Sequence, residues 1–147
     1  MKYDEIDHTA LQNMDKLHVD WEQHEDNILL VCKVESLYLC PNPRRNFITF
    51  IAIRDILRCY SFTSHNKTSQ ACQRRLNYMM KQPKTVNSVL LGVKEVKQDF
   101  YVNKRFNWLV DQIKKKTKNP LSAIVKYQKF SRILLHTLLK NITIFRM

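Results

Sequence analysis

The side chains best placed to do chemistry lie between Lys67 and Lys81. The chain there reads Lys67-Thr68-Ser69-Gln70-Ala71-Cys72-Gln73-Arg74-Arg75, with Tyr78 and Lys81 following. A hydroxyl just ahead of a helix accepts from its free amide groups, and Thr68 stands where such a cap belongs. Arg74, Tyr78 and Lys81 recur at i, i+4 and i+7, so a helix projects them together, with Arg75 beside them. Arginine pairs the two acceptors of a guanine edge, lysine reaches a backbone phosphate, and an anion suits a helix amino end. Lys67, Thr68, Gln70, Arg74, Arg75, Tyr78 and Lys81 are therefore the candidate nucleic-acid contacts. The plainer reading of the same pattern is a core helix with a solvated basic face, which needs no partner.

The distribution of charge favours the first reading. The 147 residues carry a net +12, divided unevenly. Residues 1–66 hold ten acidic and seven basic side chains; residues 67–147 hold three acidic and eighteen basic. A surface of that sign attracts polyanions, because each cation set against a phosphate releases condensed counterions.

Other chemistry finds little support. Cys32, Cys40, Cys59 and Cys72 show no zinc-ligand spacing, and Cys32, Cys59 and Cys72 read as small core hydrophobes. The five histidines are scattered, and no P-loop, nucleophile elbow or HExxH pattern occurs. One glycine, Gly92, leaves no glycine-rich phosphate loop. No enzyme, cofactor, metal or small-molecule substrate is expected. Residues 1–15 are polar and acidic, unlike a secretory signal, and the longest apolar run, Ile28–Cys40, is too short to span a bilayer. The expectation is an intracellular protein without a membrane partner.

The elements that must hold the basic helix are themselves helices. A hydrophobic content of 44% with one Gly and four Pro supplies a core but few hairpin turns. Residues 1–19 read as a flexible lead-in. Asp20 with Gln23 offers a capping box for a first helix over 21–39, acidic in its first turn at Glu22, Glu25 and Asp26. Leu30, Val31, Val34, Leu37 and Tyr38 mark its apolar face, and Pro41 and Pro43 end it. Thr49 caps a second helix with Ile53, Ile56, Leu57 and Tyr60 inward, although the run 47–53 is also β-prone. After a polar turn at 61–66, the third helix runs from Thr68 to before Pro83 on Cys72, Leu76, Met79 and Met80. Further helices are predicted over 86–98, over 103–116 carrying Phe106, Trp108, Leu109 and Ile113, and over 121–144. The last is basic and amphipathic, with Leu121, Val125, Leu134, Leu135, Leu138, Leu139 and Ile142 on its apolar side.

Trp21, the Glu25-Asp26 pair and a third helix opening as Lys67-Thr68 with Cys72 and Arg75 resemble Myb and SANT repeats. That resemblance implies an all-α, helix-turn-helix core of three helices (residues 20–83), extended by helices over 84–118 and 119–147. A closer resemblance joins four segments. Trp21-Glu22-Gln23-His24-Glu25-Asp26-Asn27-Ile28-Leu29-Leu30-Val31-Cys32-Lys33, Phe50–Leu57, the third-helix block Lys67-Thr68-Ser69 with Arg74-Arg75-x-x-Tyr78-x-x-Lys81-Gln82-Pro83, and Val93–Asp99 are similar to the largest subunit of transcription factor TFIIIC. It implies a nuclear role in RNA polymerase III transcription of transfer-RNA and 5S ribosomal RNA genes. The implied partners are double-stranded DNA of the internal promoter, at its B-box, and other TFIIIC subunits. An alternative is a SANT-type protein-interaction module, docking through Glu22, Glu25 and Asp26 or through the apolar face of residues 121–142.

Overall fold

The computed structural model describes residues 4–8, 20–41, 48–115 and 120–145, and of residues 120–125 the backbone alone. Every element among the described residues is helical, and none is a strand, so the all-α expectation holds. In chain order they are a helical turn at 5–8, then α1 (Gln23–Leu39), α2 (Phe50–Tyr60), a short 3-10 helix (Phe62–Asn66), α3 (Ser69–Met79), α4 (Pro83–Gln98), α5 (Phe100–Lys114) and α6 (Pro120–Asn141).

α1 is the axle. Each of the five other α-helices packs against it, and every residue from Ile28 to Leu39 is buried, Leu29, Val34 and Leu39 completely. The single apolar face expected for this helix is therefore wrong in extent. Its run of Leu29, Leu30, Val31, Cys32 and Val34 is apolar around the whole circumference, which suits a helix enclosed on all sides. It also starts later than Asp20 suggests. Glu22 is the cap residue, and the Glu25 carboxylate accepts from the Glu22 amide at 3.0 Å.

The other helix ends follow local chemistry. Thr49 Oγ1 accepts from the Ala52 amide, which starts α2 and resolves the β-prone run from Phe50 onward as helix; residues 42–47 lie outside the described residues. Pro83, expected only as a stop, opens α4 instead, because the first helical position has no amide bond to lose. Asp99 alone separates α4 from α5, and its carboxylate caps α5 at the Val102 amide. The Asn103 side chain braces this tight junction by donating to the carbonyls of Val96, Lys97 and Asp99.

α4 approaches α1 very closely at Gly92. A Cβ there would lie 2.8 Å from Val34 Cγ2, so the glycine serves proximity rather than an unusual backbone angle. α6 returns along α1 and buries Leu134, Leu135 and Leu138, with Ile142 just beyond its end, in the same continuous core that holds Leu29 and Val34. The Glu95 carboxylate then fastens the chain after α6 by accepting from the amides of Thr143 and Ile144 and from the Thr143 hydroxyl. Tyr60, expected on the apolar face of α2, is 41% exposed, Trp108 is 42% exposed, and Cys59, expected in the core, is exposed as well. Among the described residues no helix is long and apolar enough to cross a membrane.

Candidate nucleic-acid interface

The motif residues that pointed to α3 converge in space, but much of their polarity is spent inside the molecule. Glu25 is buried on α1, where one oxygen closes the capping box and the other accepts from the Ser64 hydroxyl at 2.5 Å. Lys67 is 3% exposed; its ammonium sits 3.5 Å from Glu25 and 5.1 Å from the centre of the Trp21 ring. Asp26 grips Arg75 through two parallel bonds, Nε to Oδ1 at 2.9 Å and Nη2 to Oδ2 at 2.8 Å. Those bonds raise the guanidinium pKa. The Trp21, Glu25, Asp26, Lys67 and Arg75 pattern thus staples the start of α1 to α3. Glu25 and Asp26 face inward and form no docking surface, contrary to the expectation for the acidic turn. The buried side chains from Leu134 to Ile142, on α6 and just beyond its end, are likewise already covered.

The amino end of α3 is closed too. Thr68 is 1% exposed and accepts from the Ala71 amide, as the sequence suggested. Asp7, fully buried, accepts from the Ser69 amide at 2.9 Å and from the Ser69 hydroxyl. A carboxylate therefore occupies the place expected for a phosphate. Asp7 also belongs to a cluster around Arg54, which is 1% exposed. Arg54 Nη1 donates to both oxygens of Asp4 and to Asp7, while Nε and Nη2 donate to Asp55. Burial works against the Arg54 charge, yet its bonds to Asp4, Asp55 and Asp7 prevail and raise its pKa. In return, Arg54 holds the Asp4 carboxyl below its ordinary range. The lead-in is thus docked at residues 4–8; residues 9–19 lie outside the described residues.

Three of the seven candidates face solvent: Arg74, Tyr78 and Lys81. Gln70 is half-buried and bonded within the fold. Arg74, Arg75 and Tyr78 join Trp21 and Ala71 around a shallow depression of about 260 Å³, and the Arg75 guanidinium stacks 5.4 Å from the Tyr78 ring centre.

The cations beyond α3 behave differently. Lys84, Lys94, Lys97, Lys104, Arg105, Lys114, Lys126, Lys129, Arg132 and Lys140 are all exposed, and none forms an ion pair among the described residues. The sequence explains this: between Phe100 and Asn141 the only acidic residue is Asp111. No group of three His, Cys, Asp or Glu that could hold a metal occurs among the described residues. Cys32 and Cys72 are packed in the core, where burial raises both thiols, Cys72 to about 12. Sequence reasoning overlooked Asp7, Arg54 and Glu35. Their only signal was charge inside an apolar run, for Glu35 and Arg54.

No family model matches the chain, and no solved structure does. Three curated proteins are similar to it, all named general transcription factor 3C polypeptide 1. The protein of Homo sapiens is 36% identical over 97 residues, 66% of this chain and 5% of the relative. That of Mus musculus is 35% identical over 96 residues, 65% of this chain and 5% of the relative. The chain therefore spans about one twentieth of the length of the curated relatives it matches. The resemblance to the TFIIIC largest subunit, drawn from Trp21 through Asp99, holds.

Proposed function

We propose that this relative of a 3C polypeptide 1 segment is a DNA-associated module of a TFIIIC-type complex, acting in RNA polymerase III transcription. The observation that carries the reading is the surface of exposed cations from Arg74 through Lys140 that, among the described residues, have no carboxylate partners. A cation left unpaired by its own chain keeps its full capacity to displace counterions from a phosphate backbone. The module works in the nucleus, without catalysis or cofactor, on double-stranded DNA of the internal-promoter, B-box kind and beside other subunits.

Within α3 the direct contacts are Arg74, Tyr78 and Lys81. Lys67, Thr68, Gln70 and Arg75 support them by fixing the helix. Base contacts specify and phosphate contacts position, so Arg74 is the residue to read a guanine edge and Lys81 a backbone anchor. A Myb/SANT-like core over residues 20–83, with helical extensions over 84–118 and 119–147, is the arrangement in which α3 would enter a major groove.

The test is a duplex titration at several salt concentrations, with a B-box duplex and a scrambled one. Replacing Arg74 and Lys81 with Ala together should weaken binding and reduce the slope of log affinity against log salt by about one, for the phosphate that Lys81 no longer neutralises. The helical circular dichroism should not change. Unchanged affinity and slope would sink the α3 contact, and equal affinity for the two duplexes would remove base readout.

A second reading, docking of another subunit, is favoured by Leu90 and Leu91. These neighbours on α4 are 54% and 52% exposed, more than a leucine pair on a solvated face requires.

A further inference from the structure

A second surface stands apart from α3, where α5 and α6 run side by side. Tyr101, Arg105 and Trp108 recur at i, i+4 and i+7 of α5, and all three face solvent. Tyr101 is 56% exposed. Phe130 of α6, 40% exposed, meets Trp108 edge to face with ring centres 4.9 Å apart. Lys104 lies one turn from Tyr101 and Trp108 on α5, and Lys126 one turn from Phe130 on α6; both are exposed. The polar handles of two rings are already engaged. The Trp108 indole N–H donates to the Arg105 carbonyl at 2.9 Å, and the Tyr101 hydroxyl accepts from Arg105 Nη1 at 3.4 Å. What these side chains offer a partner is therefore flat apolar surface with positive charge among it.

That combination discriminates between partners. A face that only solubilises has no use for three exposed rings, because each leaves apolar area in water. A duplex hides its base faces in its own stack, whereas an unpaired strand presents a π-face with every base and a phosphate with every link. The only acid on the two helices, Asp111, lies one turn past Trp108, so little repels the phosphates.

We propose that the α5–α6 face binds an unpaired nucleic-acid strand. Bases stack on Tyr101, Trp108 and Phe130, and Lys104, Arg105 and Lys126 line the phosphates. The face is indifferent to base sequence, since stacking and charge do the holding. The inference rests on the nucleic-acid reading above but is independent of α3 and of duplex binding.

The test uses the whole 147-residue chain with three probes: an oligothymidylate of about a dozen nucleotides, within the usual site size, a duplex of equal length, and polyglutamate as competitor. The oligothymidylate should bind and quench the indole fluorescence. Tyr101→Ala should lower its affinity about tenfold while changing duplex affinity less than about threefold, because a duplex offers no free base face. Trp108→Phe keeps a ring against Phe130 and should abolish the quench, since the other indole, Trp21, lies under Lys67. Equal losses on both nucleic acids, no loss on the oligothymidylate, or polyglutamate competing as well as the oligothymidylate would each overturn the proposal. The last would assign the face to an acidic protein segment. Binding of duplex without oligothymidylate sinks this inference alone; binding of neither sinks the nucleic-acid reading with it.

Discussion

Up to α3, the chain turns many of its charges inward. Lys33, Arg54 and Lys67 are buried, and Arg75 is locked to Asp26. Among the described residues, the cations from α4 onward stand in water without carboxylate partners. Both regions are rich in basic residues, so the difference is one of supply. Residues 1–66 carry enough acid to match their cations, and a buried pair can satisfy itself. The second region has three acids for fourteen cations over residues 83–147, and burying the surplus would leave unpaired charge in a low dielectric. Net charge therefore overstates what the third helix has to offer a polyanion and understates the share of the last three helices.

The comparison breaks hardest at Arg54. Removing its side chain by Arg54→Ala leaves Asp4, Asp7 and Asp55 facing one another, and denaturant unfolding should show a loss of about 3–5 kcal/mol. Arg54→Met combined with Asp7→Asn should recover part of it. A loss below about 1 kcal/mol would mean that the cluster contributes no more than a surface pair. A smaller effect is expected at the two adjacent arginines of α3. Arg75→Ala should cost about 1.5–3 kcal/mol through its bonds to Asp26, whereas Arg74→Ala should stay within about 0.5 kcal/mol. Equal costs would erase the distinction between staple and contact.

Glu35 sharpens the contrast through pH. It is fully buried on α1, and the Ser131 hydroxyl of α6 donates to one of its oxygens at 2.5 Å. The other oxygen has no partner among the described residues. Burial pushes its carboxyl well above the ordinary value of 4.5, so its contribution is complete below that value and is lost as pH climbs through the folded one. Asp4 runs the other way. Its lowered pKa gives a contribution that stands above the ordinary value of 3.8 and is lost as pH falls through the folded one. Glu35→Gln should flatten the stability curve from roughly pH 5 upward while leaving the acid-side decline intact. Superimposable curves for the two proteins would exclude an ionising Glu35. The smallest effect belongs to the outer cations: Lys129→Ala with Arg132→Ala should change stability by less than about 0.5 kcal/mol, while measurably lowering polyanion affinity.

What could be read from the sequence was local. Thr49 and Thr68 cap helices as their types suggest, because a cap is decided within three residues. The all-helical class follows from apolar spacing and the shortage of glycine. Contacts that cross the chain were invisible: Asp7 reaches Ser69 across 62 positions, and no local pattern marks that distance. Periodicity also gives the direction of an apolar face but not its width. Tyr60 shares the apolar face of α2 by spacing and is nonetheless exposed, while α1 has no free side between Ile28 and Leu39. Within the candidate site, the sequence placed Arg74, Arg75 and Tyr78 on one helix behind the Thr68 cap. It could not show that Lys67 and Arg75 already had partners.

The enclosure of α1 bears on how the chain comes into being. Its apolar circumference is covered only when α4, α5 and α6 are in place, and α6 ends about a hundred residues after α1 does. At ordinary rates of synthesis that interval is roughly 5–20 s. Throughout it the nascent helix has water, or a chaperone, where its neighbours will later be. The docking of α6 is thus needed to close the core around α1, and a ribosome stalled before Pro120 would hold out a chain with its central helix uncovered along the side that α6 takes.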